Sequence, residues 1–352
     1  MKTNNIYFTN LIVTIVLLAL LLCSCGKTEV LKSERDFQTV SADISQGDLI
    51  EFGSYPQIKV NDEEIVAKLN EDEGEFVSYN FVLDGKDTSD FMRYKDVELD
   101  GEKYRGVVFD SYRTSDATTQ NTDTSAQELN GYEAGKIYWF KFQPIVWRVL
   151  DPDDGLCMTN NIIDAGPVAE TYFYDGETDQ YYTDQTKTHF QNSYEHSDLR
   201  TYLNGDFITI AFGDTDNIVE SEITNKAGYG GLDWSAYDGE DTKDYVFLPS
   251  ADEVINYDYG FSVDPSEKDT NRCLKATDYA KCMGVSVYRG DDEAYDGNSP
   301  WWVRSAGSNT FRIITVYSNG FLNSGINANY TYYGIAPMIR LASFDGLAKV
   351  IG

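Results

Sequence analysis

The stretch GKIYWFKFQPIVWRVLD, residues 135–151, decides the fold class. Aromatic and β-branched side chains dominate it, and these suit a pleated, half-buried surface. It reads as two strands, Ile137 to Phe142 and Ile145 to Leu150, split by Pro144, which has no N–H for a sheet ladder. The turn Asp151-Pro152-Asp153-Asp154-Gly155 follows, so Leu156 to Met158 is the expected hairpin partner.

Moving outward, GDLIEFGSYPQ (47–57) reads as a short strand ending at Tyr55-Pro56, where the globular part is expected to begin. Residues 59–135 have a broken pattern, with an alternating piece from Tyr104 to Phe109 and a polar loop from Thr114 to Gln127. They read as an elaboration on one domain spanning 47–345. Downstream, Ser197 opens a helical pattern with Leu199, Tyr202, Leu203 and Phe207 on one face. Ser250 and Glu253 form a capping box before Val254 and Ile255. Thr277 starts a third short helix through Ala280 and Met283. Strands then return at Trp301 to Arg304, Phe311 to Tyr317, Phe321 to Asn323 and Ile335 to Leu341, with Asn319-Gly320 a type I′ hairpin signal. Helices in the middle and strands at both ends predict an α+β fold whose terminal strands pair with each other.

The chain has 352 residues, 28 Lys and Arg against 58 Asp and Glu, and a net charge of −30. That charge argues against nucleic acid and anionic membrane surfaces as partners, because both require cations to displace counterions. A 41% apolar content with 26 Tyr and 18 Phe belongs to a folded protein.

At the N-terminus, Lys2 precedes an apolar run from Leu11 to Leu22, short of the roughly 20 residues that span a bilayer. The run ends in Leu22-Cys23-Ser24-Cys25-Gly26, which resembles the lipobox of bacterial lipoproteins. That resemblance implies a signal peptide over 1–24, lipidation of Cys25, a tether over 25–46 and an extracytoplasmic address on the cell envelope, with the membrane reached through the lipid. Of the remaining cysteines, Cys157 reads as a buried structural residue. Cys273 and Cys282 are the closest pair, free or bridged.

The motifs GDLIEFGSYPQ (47–57), GYEAGKIYWFKFQPIVWRVLD (131–151), SDLRTYLNGDFITIAF (197–212), DYVFLPSADEV (244–254), KATDYAKCMGV (275–285) and WWVRSAGSN with GIAPMIRL (301–341) occur in order. Together they resemble the bacterial domain family DUF6273. The resemblance implies a curled antiparallel sheet, distantly similar to C-type-lectin-like and formylglycine-generating-enzyme-like folds. It implies no activity, because the family has none to carry over. The cysteine pair of a formylglycine-generating-like oxidase is missing near the C-terminus, since Cys273 and Cys282 precede Trp301-Trp302.

Catalytic signals are sparse. The only histidines, His189 and His196, sit in a polar stretch that reads as surface loop, and no GxSxG motif is present. No cofactor is expected. Calcium is the one ion to weigh, at the acidic turns 151–155, 175–179 and 291–293, which read first as solvated turns.

The informative segment is the last. From Gly297 to Phe344 no acidic residue occurs, while Arg304, Arg312 and Arg340 are present. Trp301, Trp302, Tyr317, Tyr330, Tyr332 and Tyr333 are interleaved there with Asn309, Asn319, Asn323, Asn327 and Asn329. Tyrosine gives large contact area at small entropic cost and asparagine gives adaptable hydrogen bonds, the composition of recognition surfaces. The expected ligand-binding residues are therefore Arg304, Asn309, Tyr317, Asn319, Asn323, Asn327, Asn329, Tyr330, Tyr332 and Tyr333. Trp301 and Trp302 are candidates for either core or surface. The expected function is non-catalytic binding of an extracellular glycan or protein. The alternatives are an enzyme of unknown reaction on the same fold, or a structural envelope protein.

Overall fold

A computed structural model describes residues 37–39, 44–79, 92–116 and 125–350. The expected signal peptide, 1–24, and Cys25 lie outside the described residues. No helix among those residues is long and apolar enough to cross a membrane. The architecture is mixed, with mostly antiparallel sheets and a few short helices.

The long aromatic stretch forms one strand, Tyr138–Asp151, rather than two. It passes through Pro144 because its partner, Leu49–Lys59, is bulged on both sides of that point and Pro144 sits opposite Ser54 facing solvent. Gln57 bridges the irregularity, its Nε2 donating to the carbonyls of Gln143 (2.8 Å) and Pro144 (3.0 Å). This strand organises a ten-stranded sheet. Its first half pairs with Glu102–Val108, which continues through Met92–Leu99 to Val77–Tyr79. Its second half pairs with Leu156–Thr159, the expected hairpin partner, and then the sheet continues to Met338–Arg340 and Val246–Phe247. On the far side of Leu49–Lys59 lies Ala348–Val350, paired in turn with Phe37–Thr39, so strands from both ends of the chain do meet. The sheet thus already includes three residues of the stretch read as a tether.

The segment 59–135 supplies a helix, Glu63–Asn70, capped by Asp62, and strands of the same sheet. The hairpin turn at 151–155 is locked by Gly155. Its φ of 66° is left-handed, and a Cβ there would collide with the backbone carbonyl of Leu341. Leu341 N donates back to Gly155 O at 2.9 Å.

A second, five-stranded sheet runs in the order Leu322–Asn327, Arg312–Val316, Trp301–Ala306, Gly334–Ile335, Asp164–Ala165. The expected strand Ile335 to Leu341 is divided at Ala336-Pro337. There the chain leaves this sheet and enters the ten-stranded one, and Pro337 offers only its carbonyl, to Thr159 N (3.0 Å). The two sheets are therefore stitched by one continuous segment.

The expected caps are present. Ser197 Oγ accepts from Arg200 N (3.1 Å), and Thr277 Oγ1 from Ala280 N (3.1 Å). The Ser197 pattern makes two helices, Asp198–Leu203 and Asp206–Ala211, because the intervening Asn204 turns its amide to the strand at 246–247. Ser250 and Glu253 bond reciprocally, at 3.0 and 2.6 Å, over a single 3₁₀ turn. Four buried tryptophans each place an indole N–H on an acceptor: Trp139 on Asn70 Oδ1, Trp147 on Phe52 O, Trp301 on Arg272 O and Trp302 on Gly166 O.

Candidate functional site: a ladder of aromatic rings

The acid-free segment separates into an inner and an outer half. Trp301–Ala306 is the central strand of the second sheet, buried along its whole length. Trp301 and Trp302 are fully inaccessible, so both belong to the core. Arg304 is drawn inward with them. Its guanidinium meets Glu253 through Nη1 (2.6 Å) and Nη2 (3.1 Å) and donates to the carbonyls of Leu248 and Thr224. Burial alone would raise the Glu253 pKa, but the charge and hydrogen bonds of Arg304, with Ser250 N–H, hold it below the usual carboxylate value. As a ligand contact Arg304 is corrected, because its donors are occupied inside the protein. Its partner Glu253 carries the capping box that fixes the adjacent turn.

Two further expected contacts also lie inside. Asn329 is 3% exposed, and its Nδ2 donates to Asp116 Oδ1 at 2.6 Å. Tyr333 is 4% exposed and packs on Trp302 with ring centroids 4.5 Å apart. Both are corrected: Asn329 because the loop 328–331 is tied down by a bridge between Asp116 and Tyr330 and by Thr331 N donating to Ser115 O (3.1 Å), and Tyr333 because its ring packs on Trp302 while its carbonyl accepts from Gly166 N (3.2 Å).

The other asparagines are half-buried and shape turns. Asn309 Oδ1 accepts from Phe311 N and Arg312 N, and Asn319 Oδ1 from Phe321 N. The expected type I′ turn is instead a three-residue loop, in which Tyr317 N donates to Phe321 O and Gly320 N to Tyr317 O. Only Gly320 there is left-handed (φ 85°), and a Cβ on it would collide with the backbone of Asp269. Asn323 Oδ1 caps Gly325 N, while its Nδ2 bonds Tyr317 Oη. Asn327 pairs with Arg312 in the ladder, and its carbonyl receives Tyr330 N (3.1 Å).

What reaches the surface is a graded stack of rings. From buried Trp302 the series runs to Tyr333 (4.5 Å), Tyr332 (5.1 Å) and Tyr330 (5.4 Å, near-parallel at 28°). Tyr330 and Tyr332 are half-buried, and Tyr317, 38% exposed, lies close enough to influence Tyr332 electrostatically. Burial, with Tyr330, Tyr317 and Asp116 nearby, pushes the Tyr332 phenol up to about 12. At neutral pH it is an uncharged hydroxyl, able to donate and accept. Beside the ladder runs Leu322–Asn327, an edge strand half-exposed at every residue.

A second aromatic group escaped the sequence reading. Tyr172 and Tyr174 are 36% and 45% exposed, and both rings contact Tyr181, which contacts Phe311 at 4.6 Å. The signal was the tyrosine-rich composition of 172–182, overshadowed by its acidic turn.

The acidic turns are internally engaged. Asp151 accepts from Asp153 N and Asp154 N, Asp154 bonds Arg340, and Asp175 bonds Thr178 and Lys187. Among the described residues no group of three or more His, Cys, Asp or Glu side chains is placed to hold a metal ion. Cys157, Cys273 and Cys282 are all free thiols, so the Cys273–Cys282 bridge is not formed. The rings of His189 and His196 lie with centroids 3.4 Å apart, tilted by 32°, and partial burial and the neighbouring His189 lower the His196 pKa.

No curated protein and no solved structure matches the chain. The model of a domain of unknown function, DUF6273, matches residues 156–343, beginning at the hairpin partner of the long strand and taking in both halves of the acid-free segment. With more than half of its length covered by that match, this chain belongs to the DUF6273 family.

Proposed function

We propose that this protein is a cell-surface lipoprotein, anchored through Cys25, whose C-type-lectin-like domain binds an extracellular glycan without catalysis. The binding face is the outer half of the acid-free segment: Tyr317, Tyr330 and Tyr332 with Asn319, Asn323 and Asn327. The observation that carries this reading is the ring ladder from Trp302 to Tyr330. A ring backed by a packed neighbour presents its face to a ligand with little entropy left to lose. Such faces suit the apolar side of a pyranose, and nearby amides and phenols suit its hydroxyls. The absence of carboxylates over these 48 residues lowers the repulsion that the rest of the chain would impose on an anionic or sulfated sugar, although Asp116 from outside the segment lies near the rings. A protein ligand is the second reading, since an exposed tyrosine cluster also suits protein contacts.

The test is a glycan array probed with the wild-type chain and with the Tyr330→Ala/Tyr332→Ala double variant. Loss of signal with an unchanged urea transition supports the reading. Full retention of signal by the folded variant sinks it, and signal from host proteins but no glycan moves the assignment to the second reading. Anchoring is tested separately by metabolic labelling with a fatty acid, which Cys25→Ser is expected to abolish.

A further inference from the structure

A cleft of about 320 Å³ opens beside the long strand. Its lining includes Arg148, Asn160, Asn161, Cys273, Lys275 and Asn298. The volume falls at the lower end of the roughly 300–1,000 Å³ of small-molecule sites. The walls are built structure. Lys275 pairs with Asn298 in a two-residue ladder, Ile162 N donates to Lys275 O (3.0 Å), and Asn298 Nδ2 donates to Ser318 O (3.1 Å).

Charge sets this cleft apart. In a chain of net charge −30, Arg148 and Lys275 form no ion pair among the described residues. Arg148 Nη2 donates to Asn271 O (2.8 Å), its guanidinium lies over the Phe261 ring at 5.0 Å, and its Nε is buried without a hydrogen-bond partner. The carboxylate of Asp269 acts on it electrostatically, but its oxygens already serve Ser262 N, Asn271 N and Arg272. Burial pulls the Arg148 pKa down to about 10, which leaves it charged at neutral pH. A partly buried cation with no ion-pair contact is stabilised by an arriving anion. Asn160 and Asn161 are half-buried, and their side-chain amides make no hydrogen bond among the described residues. Planar guanidinium matches an oxyanion, and free amides match hydroxyls.

We propose that this cleft binds a monosaccharide-sized, hydroxylated anion, with its carboxylate or phosphate on Arg148 and Lys275 and its hydroxyls on Asn160 and Asn161. The site uses side chains other than the aromatic rings, although Asn298 of its wall bonds Ser318 beside Tyr317, and it stands whether or not the aromatic face binds glycan.

The test uses isothermal calorimetry on the full chain with glucuronate, glucose 6-phosphate and glucose. Glucuronate or glucose 6-phosphate is expected to bind, the tighter of the two naming the anionic group, with glucose at least about tenfold weaker because it lacks the charge-assisted bonds. Lys275→Gln, at an exposed position, is expected to weaken the anion several-fold with an unchanged urea transition. Arg148→Gln is expected to weaken it further. Cys273, half-buried in the cleft wall, supplies an independent readout: the bound anion should slow its alkylation by iodoacetamide. Tyr330→Ala/Tyr332→Ala should leave this binding untouched, which separates the cleft from the aromatic face. Equal affinity for glucose, no binding of either anion, or wild-type affinity in Lys275→Gln and folded Arg148→Gln would overturn the proposal.

Discussion

The strands Trp301–Ala306 and Leu322–Asn327 come from one acid-free segment, yet every residue of the first is buried and every residue of the second is half-exposed. Composition does not separate them. Position in the sheet does, because the first has neighbours on both edges and the second only one, Arg312–Val316. The tyrosines divide likewise: Tyr333 packs buried on Trp302, while Tyr330, two rings further out, meets solvent. Recognition chemistry and core chemistry use the same side chains here, and the sheet edge assigns the role.

The largest expected effect tests the inner half. Trp302→Ala removes a fully buried indole and its bond to Gly166 O, and should lower the unfolding free energy by about 3–5 kcal/mol in urea titration. A cost near zero would mean that the inner strand is not the core that the comparison requires.

Glu253→Gln comes next. It leaves the Arg304 guanidinium buried beside a neutral amide and should cost about 3 kcal/mol at neutral pH. The sign with pH follows from the lowered pKa. The Glu253 contribution is present above its unfolded value of 4.5 and is lost as pH falls through the lower folded value. Wild type and variant should therefore converge in stability in acid, and a gap that stays constant down to that range contradicts the pairing.

A smaller effect lies on the boundary between the halves. The Tyr332 phenol is raised from 10.0 to about 12, so its contribution is complete below pH 10 and disappears as pH rises through 12. Tyr332→Phe should flatten the alkaline loss of stability across that window, measured by thermal melting at successive pH values. The smallest effect belongs to the rim. Tyr317→Ala should change stability by no more than about 0.5 kcal/mol while weakening ligand binding. If it destabilises as much as Trp302→Ala, the inner and outer halves are not distinct.

Much of the local structure was legible in the residues. The strand content of 135–151, the turn at 151–155, the caps at Ser197, Ser250 and Thr277, and the meeting of strands from both ends all follow from side-chain type and spacing. Interruptions were harder to read. Pro144 does not end its strand because the irregularity lies in the partner, and Pro337 does end one because the chain changes sheets there. Of the expected contact residues, Arg304, Asn329 and Tyr333 turned inward. Nothing local distinguishes an arginine bound for Glu253, 51 residues away, from one facing a ligand. The cleft at Arg148 was illegible for a related reason: its lining comes from positions 148–161, 270–275 and 298, which only the folded chain brings together.

The amino-acid sequence by itself determined the family, the mixed helix–sheet class, the uneven charge and the aromatic and amide composition of the terminal segment, because each depends on residue types and short spacings. The tertiary structure alone decided which of those aromatics are core and which are surface, and which cations have carboxylate partners. Burial and pairing are properties of neighbours distant in the chain, and a side chain's chemistry becomes a role only once those neighbours are in place.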